Sequence, residues 1–382
     1  MAQDLREKAG INLYSGTTLD IPSNRSERHK ILKRDSQGFR VPDDDAIKFS
    51  LLSEEEAAAA LCKSIIEVRD NIIIINKPYG IASHPGAGHK HSISELLPRV
   101  EHYVRSKASN RQIGSSLRTV QTLTLVHRLD KESTGLMLIA RNQEASLKLK
   151  QAFANRWIKK DYLCITVGIP SSSYGYIRLP LVERNFEGVF KMCVAPLNRR
   201  AKPSSCDVLS SNEDAEFKGL MNWDEMESVC GESNVPTTFY KILDRRNDAA
   251  LLTCSTLSGL KHQVRVHLAF GLHTPILGDH KYSHASFLAP QRLPHCLLDR
   301  LEIRQSKVRY MLLHLHAHRM RLRFTQSEHA GKQNADAHFF DFATSGSRTS
   351  QSSLVFSAHP PNYFIKNLRL IGLNLPRFIS KI

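Results

Sequence analysis

The stretch VHRLDKESTGLMLIAR, residues 126–141, sets apolar residues at both ends around His127, Arg128 and Asp130. An unpaired charge is costly to bury, so an arginine and an aspartate two residues apart must stay wet at a cleft or find partners. Asp130 closes the apolar strand predicted over 122–130, just before the turn KESTG, and a rigid element of that kind can present a group to a cleft. The plainer reading is a turn aspartate serving the KESTG loop, and spacing alone favours it. A second constellation is GLKHQVRVHL, 259–268, inside a short helix predicted over 257–271 and closed by Gly271. There Arg265 stands one turn along from Lys261, and Val264 and Leu268 make an apolar seam. If buried, Arg265 requires a carboxylate, and its guanidinium fork suits a bidentate one; if exposed, the segment is a basic helix for phosphate. Tyr162, in the strand KKDYLCITVG over 159–168, shares a face with Cys164 and Thr166. A tyrosine facing a cleft can stack on a base, whereas one facing the core only packs. His314, His316 and His318 alternate along one strand face, a spacing zinc can use. No cysteine or acid lies beside them, so packed or RNA-facing histidines are the preferred reading and no metal site is expected.

The elements that must position these residues are legible in outline. SEEEAAAALCKSI, 53–65, is a helix with Ser53 as N-cap and three glutamates at its positive end. EVRDNIIIINKPYGIASHP, 67–85, reads as strand, turn and strand, and NQEASLKLKQAFANR, 142–156, as a helix capped by Asn142, whose apolar positions Leu147, Leu149 and Phe153 are roughly helix-spaced. Strands follow at 237–244, 249–257 and 310–324, and a last helix at 362–373. Many strands with irregularly interspersed helices give an α+β fold class. Residues 1–66 form a polar N-terminal extension, 67–325 the main domain, 326–353 a Ser/Gln/Ala-rich loop and 354–382 a segment packing on the body. Within the main domain, 210–236 carry seven acids and one lysine and read as a solvated insertion.

The chain has 382 residues and a net charge of +16, which favours a polyanionic partner, nucleic acid first. The segment 99–118 sets Arg99, Arg105, Lys107, Arg111 and Arg118 against Glu101 alone. No apolar run reaches the roughly 18 residues a spanning helix needs, so no membrane partner is expected. Seven scattered cysteines without a CxxC pair suit a reducing compartment. The first residues, MAQDLREKAG, lack an apolar core and hold Asp4 and Glu7, which suits neither a secretory signal nor a transit peptide.

Taken in order, NKPYGIASHPG, HRLDKESTGLMLIAR, KKDYLCITVG and GLKHQVRVHLAFGLHTPILGDHKY resemble the RluA type of pseudouridine synthase over about residues 67–325. The likeness extends to the animal mitochondrial branch, the RNA pseudouridylate synthase domain-containing proteins. It implies a pseudouridine synthase catalytic domain, an α+β fold with a mixed, mostly antiparallel sheet, flanking helices and a central active-site cleft, and an isomerase that turns uridine in ribosomal, transfer or messenger RNA into pseudouridine without a cofactor. By the same resemblance Asp130 is the catalytic carboxylate, Arg265 pairs with it and holds its pKa down, Tyr162 stacks on the target uracil, and Arg128 takes the space of the flipped base. Lys77, Lys261, Arg105 and Arg111 are assigned to RNA contacts, with Lys261 standing where the family's GRTHQ motif has arginine. The acidic insertion should avoid RNA and suits a protein helper. The resemblance implies a mitochondrial location, with cytoplasm or nucleus as the alternative that the N-terminus leaves open. The rival reading is a non-catalytic RNA-binding ribosome-assembly factor on the same fold; retention of Asp130, Tyr162 and Arg265 argues against it.

Overall fold

A computed structural model describes residues 33–42, 46–69, 71–109, 122–186, 188–195, 208–210, 223–231, 235–285, 287–325, 351–376 and 379. Ser53 starts the first helix, α1 (Glu54–Cys62), as expected: its hydroxyl accepts from Glu56 N–H, and the Glu56 carboxylate accepts from Ser53 N–H. The hairpin β1 (Ile65–Val68) and β2 (Ile72–Lys77) follows, then α2 (Ile93–Ser109), β3 (Thr124–Leu125) and β4 (Thr134–Ala140). Asn142 caps α3 (Gln143–Ala154), its side chain accepting from Ala145 N–H. Next come β5 (Ile158–Val167), β6 (Tyr174–Arg178), the separate hairpin β7 (Leu181–Phe186) and β8 (Val189–Val194), and β9 (Val208–Ser210). The chain continues with α4 (Trp223–Cys230), β10 (Thr237–Arg246), β11 (Ala249–Thr256) and α5 (Gln263–Val266), which runs into a wide π-type turn over His267–Gly271. It closes with α6 (His295–Leu301), a 3-10 turn (Gln305–Tyr310), β12 (Leu315–Thr325), β13 (Gln351–Ser357) and α7 (Asn362–Ile371).

The fold is α+β. One mixed sheet runs in the order β1-β2-β4-β12-β5-β11-β10-β6-β9, with β3 paired to β4 and β13 to β12. Among the described strands only β4 and β12 pair in parallel, through His316 with Thr134 and Ala317 with Gly135. Helices cover both faces, which is why the central strands read as unbroken apolar runs rather than alternating ones. In β2, Ile73 and Ile75 pack under α1 and α2, while Ile72 and Ile74 pack with α3. In β11, Ala249 and Leu251 lie under α6 and α7, and Leu252 and Cys254 lie under α5. The last helix inserts Tyr363, Phe364, Leu368 and Ile371, each worth about 1.5–3 kcal/mol of burial.

Several expectations need correction. The strand read over 122–130 ends at Leu125, so Asp130 sits in a loop rather than on a strand. No strand follows the NKPYG turn; the segment holds only an isolated bridge between Ala82 and Ser92. The final long strand begins at Leu315, because Gln305–Tyr310 coil into a 3-10 turn first. Leu147 points to water, since the inward stripe of α3 runs instead through Ala145, Leu149 and Ala152. The acidic insertion is not all loop: α4 buries Trp223, Met226 and Cys230 against Phe239 and Leu257. Gly271 ends the π-type turn rather than following a helix at positive φ, and its role is close packing: a Cβ there would meet Ile177 Cγ2 at 2.7 Å. The described part of the N-terminal stretch is joined to the body, with Leu61, Cys62 and Ile65 in the core beside Ile73 and Met137.

Candidate active site

Three segments converge on a cleft of 330 Å³: the loop 126–133, the middle of β5, and the turn that leads from β11 into α5. Its walls include Arg128, Asp130, Lys160, Tyr162, His262 and Arg265. The loop is held from beneath. Ser83 Oγ donates to Leu129 C=O and accepts from Leu129 N–H, and Lys77 Nζ donates to the carbonyls of Pro78, Lys131 and Ser133. Three carbonyl acceptors match the three N–H donors of an ammonium, although burial pulls the Lys77 pKa down to about 7 against the pull of Asp130 and Glu132. Lys77 is fully buried, so the RNA contact assigned to it is corrected: it clamps the loop from inside.

Arg265 is buried on α5. Its Nε and Nη2 donate to the two carboxylate oxygens of Asp279, both at 2.8 Å, and its Nη1 donates to Glu132 at 2.9 Å. Asp130 Oδ2 lies 3.9 Å from the same Nη1. Arg265 and Asp130 therefore meet, but the bidentate partner is Asp279, which the sequence reading did not single out. The signal lay in GDHKY: Gly278 turns at φ +81° beneath Leu312, and Asp279 also accepts from the N–H groups of Lys281 and Tyr282. Burial works to lower the Arg265 pKa, but Asp279, with Glu132 and Asp130, holds it well above the usual value. At Asp130 the balance runs the other way from the expectation. Burial pushes its pKa up and Glu132 adds to this, while Arg265, Arg128 and Lys77 pull down without winning.

His262 precedes α5 at φ 56°, in the left-handed region. Lys261 therefore stands before the helix rather than one turn below Arg265, on the cleft rim and ion-paired with Glu183. Tyr282 OH accepts from Met192 N–H at 3.2 Å and shares a hydrogen bond with His262 Nδ1, and the other ring nitrogen, Nε2, lies 3.6 Å from Asp130 Oδ1. Burial lowers the His262 pKa to about 2, and Arg265 and the nearby lysines add to this, so the ring stays neutral. Tyr162 is half-buried in the wall beside Asp130, and burial keeps its hydroxyl protonated. Lys160 donates to Ser258 C=O at 2.6 Å, and burial lowers its pKa to about 8. His127 accepts from Leu138 N–H at 2.9 Å and stacks on Phe153. Arg128 is exposed at the mouth. Arg105 lies on α2, paired with Glu101 one turn back, and is not among the residues lining the cleft. Arg111 lies outside the described residues. The three alternating histidines use their rings on protein partners: His314 with Asn367, His316 with Thr134 and Ala358 C=O, and His318 with Ala358 C=O.

A dry carboxylate between a fixed guanidinium and a neutral imidazole can attack carbon or take a proton, and the wall tyrosine gives a flat base a surface to lie on. Asp130, Tyr162 and Arg265 thus line one cleft beside a helix-covered mixed sheet. The chain belongs to the RNA pseudouridylate synthase family, whose sequence profile matches residues 71–270. It is 33% identical over 325 residues to the mitochondrial pseudouridylate synthase RPUSD4 of Bos taurus, covering 84% of this chain and 72% of that one. The Danio rerio protein of the same name is 37% identical over 266 residues, covering 69% and 67%. The solved structure of human RNA pseudouridylate synthase domain containing 4 superposes with a TM-score of 0.58 at 29% identity, covering 85% of this chain and 98% of that one. The protein is thus an RNA pseudouridine synthase, an isomerase acting on uridine in RNA.

Proposed function

We propose that Asp130 is the carboxylate that opens the uridine, and that the protein modifies ribosomal, transfer or messenger RNA inside the mitochondrion. One observation supports this most: the Asp130 carboxylate lies in the cleft within 3.9 Å of the buried Arg265 guanidinium. The target base leaves its stack to reach the cleft, because the bond to be cut is hidden in a paired helix. Ionised Asp130 acts on the sugar, either bonding to C1′ or taking a sugar proton as a glycal forms. In both routes the C1′–N1 pair of electrons leaves with the uracil. The ring turns and C5 bonds to C1′, as the Asp130–C1′ bond breaks in the first route or as Asp130 returns the proton to the sugar in the second; the C5 proton is then lost and N1 gains one, so the product is an isomer and Asp130 is restored. Tyr162 stacks on the uracil through this turn, and Arg128 fills the place of the flipped base. The mitochondrial location rests on the relatives' names.

The test incubates wild type and Asp130→Asn with mitochondrial RNA made without the endogenous enzyme, and maps pseudouridine chemically. Wild type is expected to add sites, and Asp130→Asn to be slower by at least about 10³-fold. The variant should unfold at a temperature no lower than wild type at neutral pH. A carboxylate whose folded pKa is raised weakens the fold above that pKa, and the amide carries no such charge. Equal modification by both proteins sinks the assignment of Asp130.

A further inference from the structure

His262 is held in the left-handed region, at φ 56° and ψ 17°, in the wall of the cleft. A residue with a side chain keeps that conformation only where its surroundings fix it, and such positions gather at active sites. Helix capping does not account for it, since the His262 side chain makes no cap hydrogen bond to α5. The turn is pinned from both sides instead. Gln263 Nε2 donates to Thr237 C=O and Thr238 Oγ1, Gln263 Oε1 accepts from Ser258 Oγ, and His262 C=O accepts from Val266 N–H. The ring thereby stands between Tyr282 and Asp130. Tyr282 is anchored in turn: its N–H donates to Asp279 Oδ1 at 3.1 Å, and its ring lies 5.0 Å from the Arg265 guanidinium. Asp279 thus sets both neighbours of Asp130, Arg265 directly and His262 through Tyr282. We propose that His262 is a positioning residue for the reaction: Tyr282 OH donates to Nδ1, and Nε2–H donates to Asp130 Oδ1 and aims the carboxylate at the sugar. This inference rests on the reading of Asp130 given above. Partner chemistry supports the donor roles. Met192 N–H uses one lone pair of the Tyr282 oxygen and leaves the hydroxyl proton for Nδ1. A lone pair on Nε2 would be repelled by the ionised carboxylate, whereas an N–H is attracted. The separation of 3.6 Å is longer than a hydrogen bond, and catalytic contacts of this kind tighten toward the transition state. The other groups whose charge reaches Asp130 are Arg265 on α5, Lys77 on β2, Arg128 and Glu132 on its own loop, Tyr162 on β5, and Lys281 and Tyr282 after α5.

The experiment measures single-turnover pseudouridine formation in mitochondrial RNA across the acid and neutral range, for the full chain and its His262→Asn, His262→Gln and Tyr282→Phe variants. Asparagine suits the left-handed region, but its amide reaches only as far as Nδ1, whereas the glutamine amide reaches as far as Nε2. His262→Asn is expected to be slower by about 10- to 100-fold, the range that one hydrogen bond to a charged group commands, with its RNA dissociation constant within about twofold of wild type. Its acid limb should move to higher pH, because losing a donor to the ionised form raises the Asp130 pKa. His262 is itself neutral, with a pKa of about 2, so the limb belongs to another group. His262→Gln should recover to within about fivefold of wild type. Tyr282→Phe should move the limb the same way as His262→Asn, since nothing then keeps the ring proton on Nε2. Asparagine and glutamine variants that are equally slow at every pH, with the limb in place, would mean that the ring only fills space, and overturn the proposal. A Tyr282→Phe limb at the wild-type position overturns it too. Asp130→Asn, run alongside, separates the two readings. If it is inactive while His262→Asn matches wild type, the positioning role alone falls. If Asp130→Asn modifies RNA like wild type, the catalytic reading fails and the positioning role goes with it.

Discussion

Four charges within one turn of space decide how Asp130 behaves. Asp279 takes both inner faces of the Arg265 fork and leaves Nη1 to be shared between Glu132 at 2.9 Å and Asp130 at 3.9 Å. The geometry favours Glu132, so Asp130 receives only part of the compensation that a buried carboxylate needs. That is why its pKa rises although an arginine stands beside it. Chemistry that requires the ionised form should therefore fade, as pH falls, at a higher pH than an ordinary aspartate would dictate. Replacing Glu132 by Gln acts on this limb with a known sign. It removes a like charge from Asp130 and frees Nη1 to turn toward it, and both effects lower the Asp130 pKa. The acid limb of the pH–rate profile should then shift to lower pH, with the rate at the plateau changed less than at low pH. A limb that stays in place would mean that another group titrates there. His262, kept neutral by burial and hydrogen-bonded to Tyr282, stands 3.6 Å from Asp130 without adding a charge to offset it.

The loop that carries these charges is set by a parallel strand pair. Gly135 opens β4 at φ +115°, and a Cβ there would meet the Ala317 carbonyl oxygen at 2.3 Å and its nitrogen at 2.6 Å. Strands β4 and β12 can come this close only where the side chain is missing. Gly135→Ala combines a backbone conformation worth about 1–3 kcal/mol of strain with a clash against main chain, so a loss of at least about 3 kcal/mol is expected in urea unfolding. A loss under about 1 kcal/mol would mean that β12 shifts without cost. The sequence names this glycine in its turn but not its reason, because Ala317 is far away in the chain. The same holds for the site. Asp130, Arg265 and Tyr162 could be picked out from motif order, and the Ser53 and Asn142 caps from local chemistry. The Asp279 partner, the Glu132 competition and the burial of Lys77 depend on long-range packing that spacing does not encode. Trp223, Met226 and Cys230 do carry helical spacing, but the acids among them masked it.

Charge organises the molecule as a whole. Many described carboxylates are already engaged by arginines: Glu54 by Arg99, Asp161 by Arg319, and Asp224 and Glu227 by Arg323. Arg40 ties the N-terminal stretch to the far end of the chain through Leu301 C=O and Asn367. With a net charge of +16, the chain places Arg128 and Lys261 at the cleft and Lys48, Lys90, Lys131 and Lys307 at a neighbouring groove, cations that phosphates of a polyanion can meet. If four to six of them meet phosphates, the logarithm of affinity for single-stranded RNA should fall with the logarithm of salt at a slope of about −3 to −4. Binding would then weaken by about 50- to 300-fold between 0.05 and 0.2 M salt. Titrating wild type against a fluorescent 12-nucleotide oligouridylate at four salt concentrations measures this slope. A value shallower than about −1 would mean that stacking and hydrogen bonds to bases hold the RNA, and that the positive surplus is a solvated surface rather than a track for the substrate.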